Sequence, residues 1–382
     1  MPFGASPQNR PHLRGRGGKR NDRGNHYQDC ERGGCAVVIS IYTKLMSRLF
    51  CVILSFLFAC NISAQAPKSD PHWILSWEDN FDTFNHDKWL KMNYGRHGLE
   101  KQLYMADNVW TENGNLIIEL NNTPTLCPSP APNPTSWSCG KCNSGMYNYT
   151  SGWVETKKNF NSHFGYIEAR IKLPYGYWPA FWTWRGVNYA AQNEGEIDIF
   201  EILGIDYSQN TVTTNFHVDY HDTINDFAVQ TLKNYDYTNW HTYAVEWSPS
   251  KIIWYIDDIP TRLATNHGII DSVRIILNLA IHHSYTPPTY PTIQEYMYVD
   301  YVKVYHLDYT ESNTNLNVTN TNQLNNYNNT VKKNINIGNS VNTVISLPND
   351  SLTLRATDAI IINNNFEVPL GKSFYLDVNP KN

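Results

Sequence analysis

Three carboxylates lie within the six residues EIDIFE at 196–201, where the other residues are apolar, in the segment NEGEIDIFEILG at 193–204. Glu196 and Asp198 are two residues apart and would share one face of a strand, because side chains alternate between its two faces. Glu201 lies five residues after Glu196 and would point to the opposite face of a regular strand. An exposed strand face does not explain this pattern, since carboxylates this close repel one another unless the site uses them.

A β-bulge would return the third acid to the face of the first two. A bulge inserts one residue and resets the alternation, so Ile199 and Phe200 would together occupy one strand position. Glu196 and Glu201 on one face suit retaining glycoside hydrolysis, in which one carboxylate attacks the sugar and the other donates a proton. Asp198 between them would help to separate their pKa values. A metal cluster is the weaker alternative, because Ca²⁺ sites usually draw on loops and carbonyl groups.

The composition agrees with a sugar-binding protein but does not require one. The chain has 382 residues, a formal net charge of -5 and 13% aromatic residues, with 12 Trp and 25 Tyr. The negative charge gives no indication of a nucleic-acid partner. So many aromatic side chains form either stacking surfaces for sugar rings or an aromatic core.

The acid segment belongs to a region, 68–308, that we interpret as one all-β domain. Short apolar or alternating runs recur between turn signals, without a competing helical pattern, and this is typical of a sandwich or barrel. The clearest runs are NLIIEL at 115–120, FGYIEARIKL at 164–173, TVTTNFHV at 211–218, a hairpin at 240–258, VRIILNLAI at 273–281 and MYVDYVKVYH at 297–306.

The segment GEIDIFE resembles the active-site signature of family 16 glycoside hydrolases, in the bulged form Glu-x-Asp-x-x-Glu of laminarinases, agarases, porphyranases and carrageenases. Other segments resemble family blocks in the expected order, and together they cover nearly all of 68–308. They are YTSGWVETKKNFNSHFGYIEARIKLP at 149–174, GYWPAFWTW at 176–184, WHTYAVEWSPSKIIWYIDD at 240–258 and MYVDYVKVY at 297–305. The resemblance implies a β-jelly-roll sandwich of the concanavalin-like kind, with a cleft across one sheet.

The resemblance also implies roles for individual residues. Glu196 would be the nucleophile, Glu201 the acid and base, and Asp198 the assisting carboxylate. Four further residues are candidates for substrate contact; the alternative is core packing for Trp178 and Trp182 and a structural role for His217. They are Trp178, which matches an aromatic residue beside the sugar at the cleavage point, Trp182, His217, and Trp153, which replaces the family's usual Arg.

No cofactor is expected for catalysis. Many family members hold a structural Ca²⁺ away from the chemistry, and the candidate ligands here are Glu78 and Asp300. The alternative for each is an ordinary surface acid. A calcium ion at this place would stabilise the fold without a part in catalysis.

The expected substrate is a polysaccharide, first of all a β-1,3-glucan of the laminarin type cleaved in an endo manner. Departures from the family keep an agar- or porphyran-type galactan open: His282 and His283 replace the usual glycines, and the segment 122–148 looks inserted. Few basic residues lie in the recognised blocks, which argues mildly against a heavily sulfated carrageenan; Arg185 is the exception. A non-catalytic carbohydrate-binding jelly roll is the alternative from another class. We expect a monomer.

The N-terminus predicts export. A basic residue, Arg48, precedes twelve apolar residues and then the AQA sequence that ends at Ala66, so 46–66 has the form of a signal peptide. Twelve apolar residues are too few to span a bilayer. Residues 1–45 would then be a mis-assigned extension. Secretion after cleavage at Ala66 and lipid anchoring at Cys60 are the two alternatives, so the protein would be secreted or held at the cell surface.

After His306 the composition changes. The Asn- and Thr-rich segment 309–339 has few apolar residues and is interpreted as a linker. Residues 340–382 recover β character and predict a small C-terminal module. Three cysteines, Cys127, Cys139 and Cys142, lie in one loop, where export permits one disulfide and leaves one thiol.

Overall fold

The computed structural model describes most of the chain from residue 66 onward. The described residues are 36–39, 66–98, 100–135, 140–160, 162–185, 195–203, 208–218, 226–284, 293–327, 330–338, 344–347, 351–363 and 366–378. They belong to one compact unit, Cys35–Asn382. The predicted signal peptide before Ala66, the lipidation site Cys60 and the third loop cysteine, Cys139, lie outside them. No helix among the described residues is long and apolar enough to cross a membrane.

The described residues form mostly strands, numbered here along the chain. The strands are β1 (Ala36–Ile39), β2 (Trp73–Asp79), β3 (Trp89–Lys91), β4 (Gly95–Arg96), β5 (Leu103–Tyr104), β6 (Val109–Glu112), β7 (Asn115–Asn121), β8 (Thr125–Cys127), β9 (Gly140–Lys141), β10 (Gly145–Tyr147), β11 (Thr150–Ser151), β12 (Trp153–Thr156), β13 (Gly165–Lys172), β14 (Trp178–Arg185), β15 (Glu196–Glu201), β16 (Thr211–His217), β17 (Ala228–Thr231), β18 (His241–Trp247), β19 (Lys251–Ile256), β20 (Ile259–Thr265), β21 (Val273–Ala280), β22 (Gln294–Leu307), β23 (Asn315–Val318), β24 (Lys332–Ile337), β25 (Ile345–Ser346), β26 (Ser351–Ile362), β27 (Phe366–Glu367) and β28 (Ser373–Val378). The α-helix, α1, is Thr321–Asn325, and 3₁₀ turns lie at Pro67–Ser69 and Ala106–Asn108.

Two sheets enclose the main hydrophobic core. Among the described residues, the seven-stranded sheet has the order β17-β16-β15-β14-β21-β12-β3. The twelve-stranded sheet has the order β20-β19-β18-β13-β22-β7-β11-β5-β4-β9, with β2 beside β22 and β6 beside β7. Apolar side chains of both sheets, such as Phe181, Phe200, Val245 and Trp254, meet in one buried cluster. The all-β sandwich predicted from the sequence is confirmed.

The middle strands of the seven-stranded sheet are buried on both faces. On β14 and β21, residues such as Phe181 and Leu277 enter the main core. Their neighbours Trp182 and Ile276 belong to a second cluster on the other face, together with Met92 and other residues. Because both faces are covered, these strands are nearly continuous apolar runs rather than alternating ones.

The C-terminal strands, together with β1 from residues before the predicted signal peptide, form a further sheet, and the C-terminal residues have their own core. The strands β1, β26, β24 and β23 make a parallel sheet in that order, and β28 also pairs with β26. A cluster of apolar side chains, including Val318, Leu324, Ile335 and Leu354, fills it.

The segment 309–339 differs from the linker predicted for it, because it supplies β23, α1 and β24 to this module. Its isoleucines face the core, while its asparagines pair with each other on the exposed side. Asn334 and Asn336 donate to Asn315 and Asn317, at 3.0 and 3.1 Å. A low apolar content therefore reflects strands with one buried face, rather than an unstructured chain.

A disulfide joins Cys127 and Cys142, which are 15 positions apart in the sequence, and closes the loop between them. We call residues 127–142 the disulfide loop. Its strand β9 pairs with β4, and β8 pairs with β10. Of the cysteine pairings that the sequence left open, the structure has Cys127–Cys142. Strand β9 of the loop is the last strand in the order of the larger sheet.

Candidate active site

The predicted bulge lies on β15, where the strand register shifts. On β14, Ala180 and Trp182 are two residues apart and face the same side, yet they pair with Glu201 and Asp198, which are three apart. The extra residue is Ile199. The pairing with β16 shifts over the same interval. The bulge therefore places the three acids on one face of the sheet, as the spacing predicted.

The apolar side chains of the bulge explain why it forms here. Ile199 and Phe200 both enter the core between the sheets. The carbonyl oxygen of Asp198 faces the same way and accepts a hydrogen bond from the indole Nε1 of Trp254, on the opposite sheet, at 2.9 Å. Burying that carbonyl without a donor would be costly. Trp254 lies in a recognised block, but its role in supporting the bulge was not predicted.

Glu201 is held by Trp178, one of the predicted substrate-contact residues. The indole Nε1 of Trp178 donates to Glu201 Oε1 at 3.0 Å. Burial, and then the negative charge of Asp198, raise the pKa of Glu201 to about 8. The hydrogen bond from Trp178 and the nearby His217 oppose this rise. A carboxyl group protonated at neutral pH is what a general acid needs.

Glu196, Asp198 and His217 form the other half of the site. Each has one donor atom within 4.8 Å of the other two. The His217 Nε2 atom lies 3.6 Å from Asp198 Oδ2 and 4.0 Å from Glu196 Oε1, and 2.8 Å from the amide of Asn215. Asp198 is 2% exposed, and its Oδ2 has no hydrogen-bond partner among the described residues. His217 is therefore the closest described side chain that could balance its charge.

Two of the four predicted substrate-contact residues are buried instead. Trp153 is 0% exposed and Trp182 is 5% exposed, and their rings pack edge to face with centroids 5.3 Å apart. Trp182 also donates to Asn278 Oδ1 at 2.8 Å. In this conformation Trp153 packs in a buried cluster with Met92. Trp178 is half-buried and open to a ligand, and its ring lies 5.0 Å from that of His282.

The two predicted calcium ligands do not form a shared site. Asp300 is ion-paired with Arg170 at 2.7 Å, which occupies the carboxylate that a metal would need. Glu78 pairs in register with Lys303 on β22. Among the described residues, neither belongs to a cluster of three acidic, His or Cys side chains, and calcium binding by these two residues stays a prediction.

A fourth acid near the site was not predicted. Glu100 is buried and accepts a hydrogen bond from Gln102 Nε2 at 2.8 Å. Burial raises the pKa of Glu100 to about 8, and its charge adds to the rise at Glu201. Gln102 in turn accepts from the backbone N–H of Ile281 at 2.8 Å. These residues precede the recognised blocks, so no motif pointed to them.

A cavity of about 530 Å³ opens beside Glu196. The cavity is lined by β15, which carries the three acids, and by segments that are far from β15 in the sequence. The lining residues are Arg96, His97, Gly98, Gly140, Lys141, Trp184 and Glu196. The only sequence signal for this wall was the inserted look of 122–148, which contains Lys141. Space of this size next to an acid strand defines a cleft for a ligand as large as a sugar.

The fold and the site define a class of protein: a β-sandwich in which a bulged strand carries three acids beside an aromatic-walled cleft. The family model "Glycosyl hydrolases family 16" matches residues 101–286. A β-glucanase of Rhodothermus marinus is 30% identical over 302 residues, covering 69% of this chain and 96% of that protein. The chain therefore belongs to glycosyl hydrolases family 16, and the resemblance stated from the motifs is confirmed.

Two further comparisons agree with this membership. The endo-1,3-1,4-beta-glycanase EglC of Rhizobium meliloti (strain 1021) is 30% identical over 252 residues, covering 61% of this chain and 52% of EglC. The chain thus spans about half of that relative. The structure of the endo-beta-1,3-glucanase of Pyrococcus furiosus superposes with a TM-score of 0.53 and 29% identity, covering 62% of this chain and 95% of that one.

Proposed function

We propose that this protein is an endo-acting, retaining β-glycanase, and that its first substrate is a β-1,3-linked glucan. One observation carries the proposal: the bulge on β15 puts Glu196, Asp198 and Glu201 on one face, with Glu201 protonated near neutral pH. Membership of the family and relatives named for β-glucan hydrolysis support the reaction and the substrate class.

The mechanism follows from the two environments. In the first step, a Glu196 oxygen bonds to the anomeric carbon while the glycosidic C–O bond breaks, and Glu201 gives its proton to the leaving oxygen. In the second step, the ionised Glu201 takes a proton from water, which attacks the anomeric carbon and releases Glu196. Asp198 keeps Glu201 protonated through its negative charge, and Trp178 fixes the direction of the Glu201 carboxyl.

A panel of polysaccharides tests the reaction and the substrate together. Laminarin, lichenan, agarose, porphyran and carrageenans would be incubated with the protein and the products separated by chromatography. We expect a series of laminarin oligosaccharides of mixed length. Products from agarose or porphyran alone would replace the glucan by a galactan, and binding without products would favour a carbohydrate-binding jelly roll.

The nucleophile is tested with a neutral replacement of the same shape. Glu196→Gln is expected to bind laminarin and to lose turnover, because an amide does not form the glycosyl-enzyme bond. Glu112→Gln removes an exposed acid on β6 and is the matched control. Turnover by Glu196→Gln close to that of Glu112→Gln would show that Glu196 is not the nucleophile.

Export and oligomeric state are part of the same proposal. The protein is exported, either cleaved after Ala66 or lipidated at Cys60, and it acts as a monomer. The signal-like sequence of 46–66 supports export. Mass spectrometry of the N-terminal peptide from the native host separates the two forms, and light scattering of the purified protein measures its mass. A mass of two chains or more would contradict the monomer.

A further inference from the structure

The disulfide loop forms part of a cavity wall that also includes the proposed nucleophile. Gly140 and Lys141 of the loop line the 530 Å³ cavity together with Glu196 and Trp184 of the seven-stranded sheet. The remaining wall comes from Arg96 and the residues after it. A ligand in this cavity would therefore touch the acid strand and the loop at the same time.

Two backbone connections hold the loop in that place. On the paired strands β9 and β4, Gly140 lies opposite Arg96 and Lys141 lies opposite Gly95. The next residue, Cys142, donates its backbone N–H to the carbonyl of Tyr94 at 3.3 Å. Because Cys142 is also bonded to Cys127, the disulfide fixes the strand immediately beside the two cavity-lining residues.

The cavity wall carries two cationic side chains, Arg96 and Lys141, and one acid, Glu196. Arg96 and Lys141 have no ion-pair partner within 4.0 Å among the residues that the structure describes. His97 adds no charge at neutral pH, because burial lowers its pKa. Trp184 offers a partly exposed aromatic face to a sugar ring. Arg96 also lines a neighbouring cavity of about 360 Å³ together with Glu100, and the charge of Arg96 opposes the rise that burial causes in the pKa of Glu100.

We propose that Arg96 and Lys141 form a subsite for a negatively charged substituent, a sulfate ester or a carboxylate, on the sugar bound beside Glu196. A guanidinium group recognises both anions through paired N–H donors, and an ammonium group adds a mobile charge. As the proposed nucleophile Glu196 must be ionised, so the anion must lie toward the loop, away from the reacting carbon. The inference rests on the proposed function and adds to it a preference for β-1,3-linked glucans that carry anionic groups.

The test compares one polymer with and without charge. Neutral laminarin, sulfated laminarin and carboxymethyl laminarin would be titrated by calorimetry into the full chain carrying Glu201→Gln, which removes turnover. We expect at least one charged polymer to bind about fivefold to tenfold more tightly than the neutral one, as charge-assisted hydrogen bonds imply. The preference should shrink with added salt. The sulfated and carboxymethyl arms identify which anion fits.

Three variants in the Glu201→Gln background locate the effect. Arg96→Ala and Lys141→Ala should each lose most of the preference for the charged polymer, with a smaller change for neutral laminarin. Lys172→Ala, which removes an exposed cation on β13, should keep the preference. Equal affinity for all three polymers, or an equal loss in Lys172→Ala, would overturn the proposal.

A fourth variant tests the loop. Replacing Cys127 and Cys142 together by Ser should reduce the preference as the Lys141 variant does, because the strand beside Lys141 is no longer fixed. An unchanged preference would show that the disulfide does not position this subsite. These are binding measurements, so they remain readable if the polysaccharide panel shows no hydrolysis. A panel without hydrolysis products would refute the proposed reaction, but it would not decide whether the anion subsite exists.

Discussion

Two carboxylates, the buried Glu168 in one sheet and the half-buried Glu201 in the other, have opposite surroundings. Glu168 on β13 accepts hydrogen bonds from the Lys68 ammonium at 2.7 Å and from the hydroxyls of Tyr166 and Tyr301 at 2.9 and 2.8 Å. Glu201 on β15 accepts one from Trp178 and lies close to the charge of Asp198. Hydrogen-bond donors thus surround the Glu168 carboxylate, while burial and the charge of Asp198 disfavour the charged form of Glu201.

The difference separates a structural acid from a reactive one. Donors surrounding Glu168 stabilise its charge, and its ion pair fastens the N-terminal segment at Lys68 to the sheet. At Glu201, burial and a like charge favour the neutral form, so a proton is available at neutral pH. A buried acid on a sheet is therefore insufficient to indicate catalysis, and its partners decide.

Glu201→Gln gives the largest expected effect. The variant is expected to lose about 10²- to 10⁴-fold in kcat on laminarin, because the leaving oxygen receives no proton. The loss should be much smaller on an aryl β-glucoside whose phenol leaves without protonation. Steady-state kinetics on both substrates checks this. An equal loss on the two would mean that Glu201 is not the acid.

Glu168→Gln is the matched change in the other sheet. It should leave kcat within about twofold, since Glu168 has no contact with the site. Unfolding should become easier by about 2 kcal/mol, the value of hydrogen bonds to a charged group. Urea unfolding and kinetics on the same preparation measure both. A large fall in kcat without a fall in stability would contradict the separation of roles.

The value of kcat/KM should fall on the alkaline side of its pH profile, near the raised pKa of Glu201. The acid must be protonated, so activity falls as the pH rises through about 8. Asp198→Asn removes a charge that raises this pKa, so the alkaline limb should move to lower pH. Trp178→Phe removes a hydrogen bond that lowers it, so the limb should move to higher pH. Shifts in the same direction would show that another group titrates.

The Trp254→Phe variant tests the hydrogen bond that supports the backbone at the bulge. The substitution leaves the buried carbonyl of Asp198 without its donor, so unfolding should become easier by about 1 to 3 kcal/mol. The lost support at the bulge should also lower kcat moderately. Trp247→Phe removes the indole that donates to the carbonyl of Ile269 and is a control away from the site. Equal stability losses with a kcat loss only in Trp254→Phe would fit the role proposed for Trp254.

Much of the site could be predicted because it is local. The two-residue period of a strand and three acids are sufficient to require a bulge, and the register confirms it at Ile199. The support by Trp254 could not be predicted, because it depends on which strand of the opposite sheet lies under the bulge. Burial of Trp153 was also missed, since the covering segment with Met92 is distant in sequence.

The C-terminal region shows where composition misleads. The segment 309–339 has few apolar residues, yet it forms two strands and a helix that enclose a core with residues after 344. Its buried residues have a partner only after the chain returns with β26. Asn side chains then pair with one another along the exposed edge of these strands. The parallel pairing of β24 with β26 therefore joins this segment to a core that its own residues are too few to form.

The sequence by itself determined the family, the all-β class and the shared face of Glu196, Asp198 and Glu201, because local alternation and motif spacing encode them. The tertiary structure decided which acid holds its proton, since burial and the charge of Asp198 act through space. It also decided that Lys141 of the disulfide loop and Arg96 of β4 line the cavity beside Glu196. Glu196 lies 55 positions after Lys141 and 100 after Arg96, distances that no local pattern records.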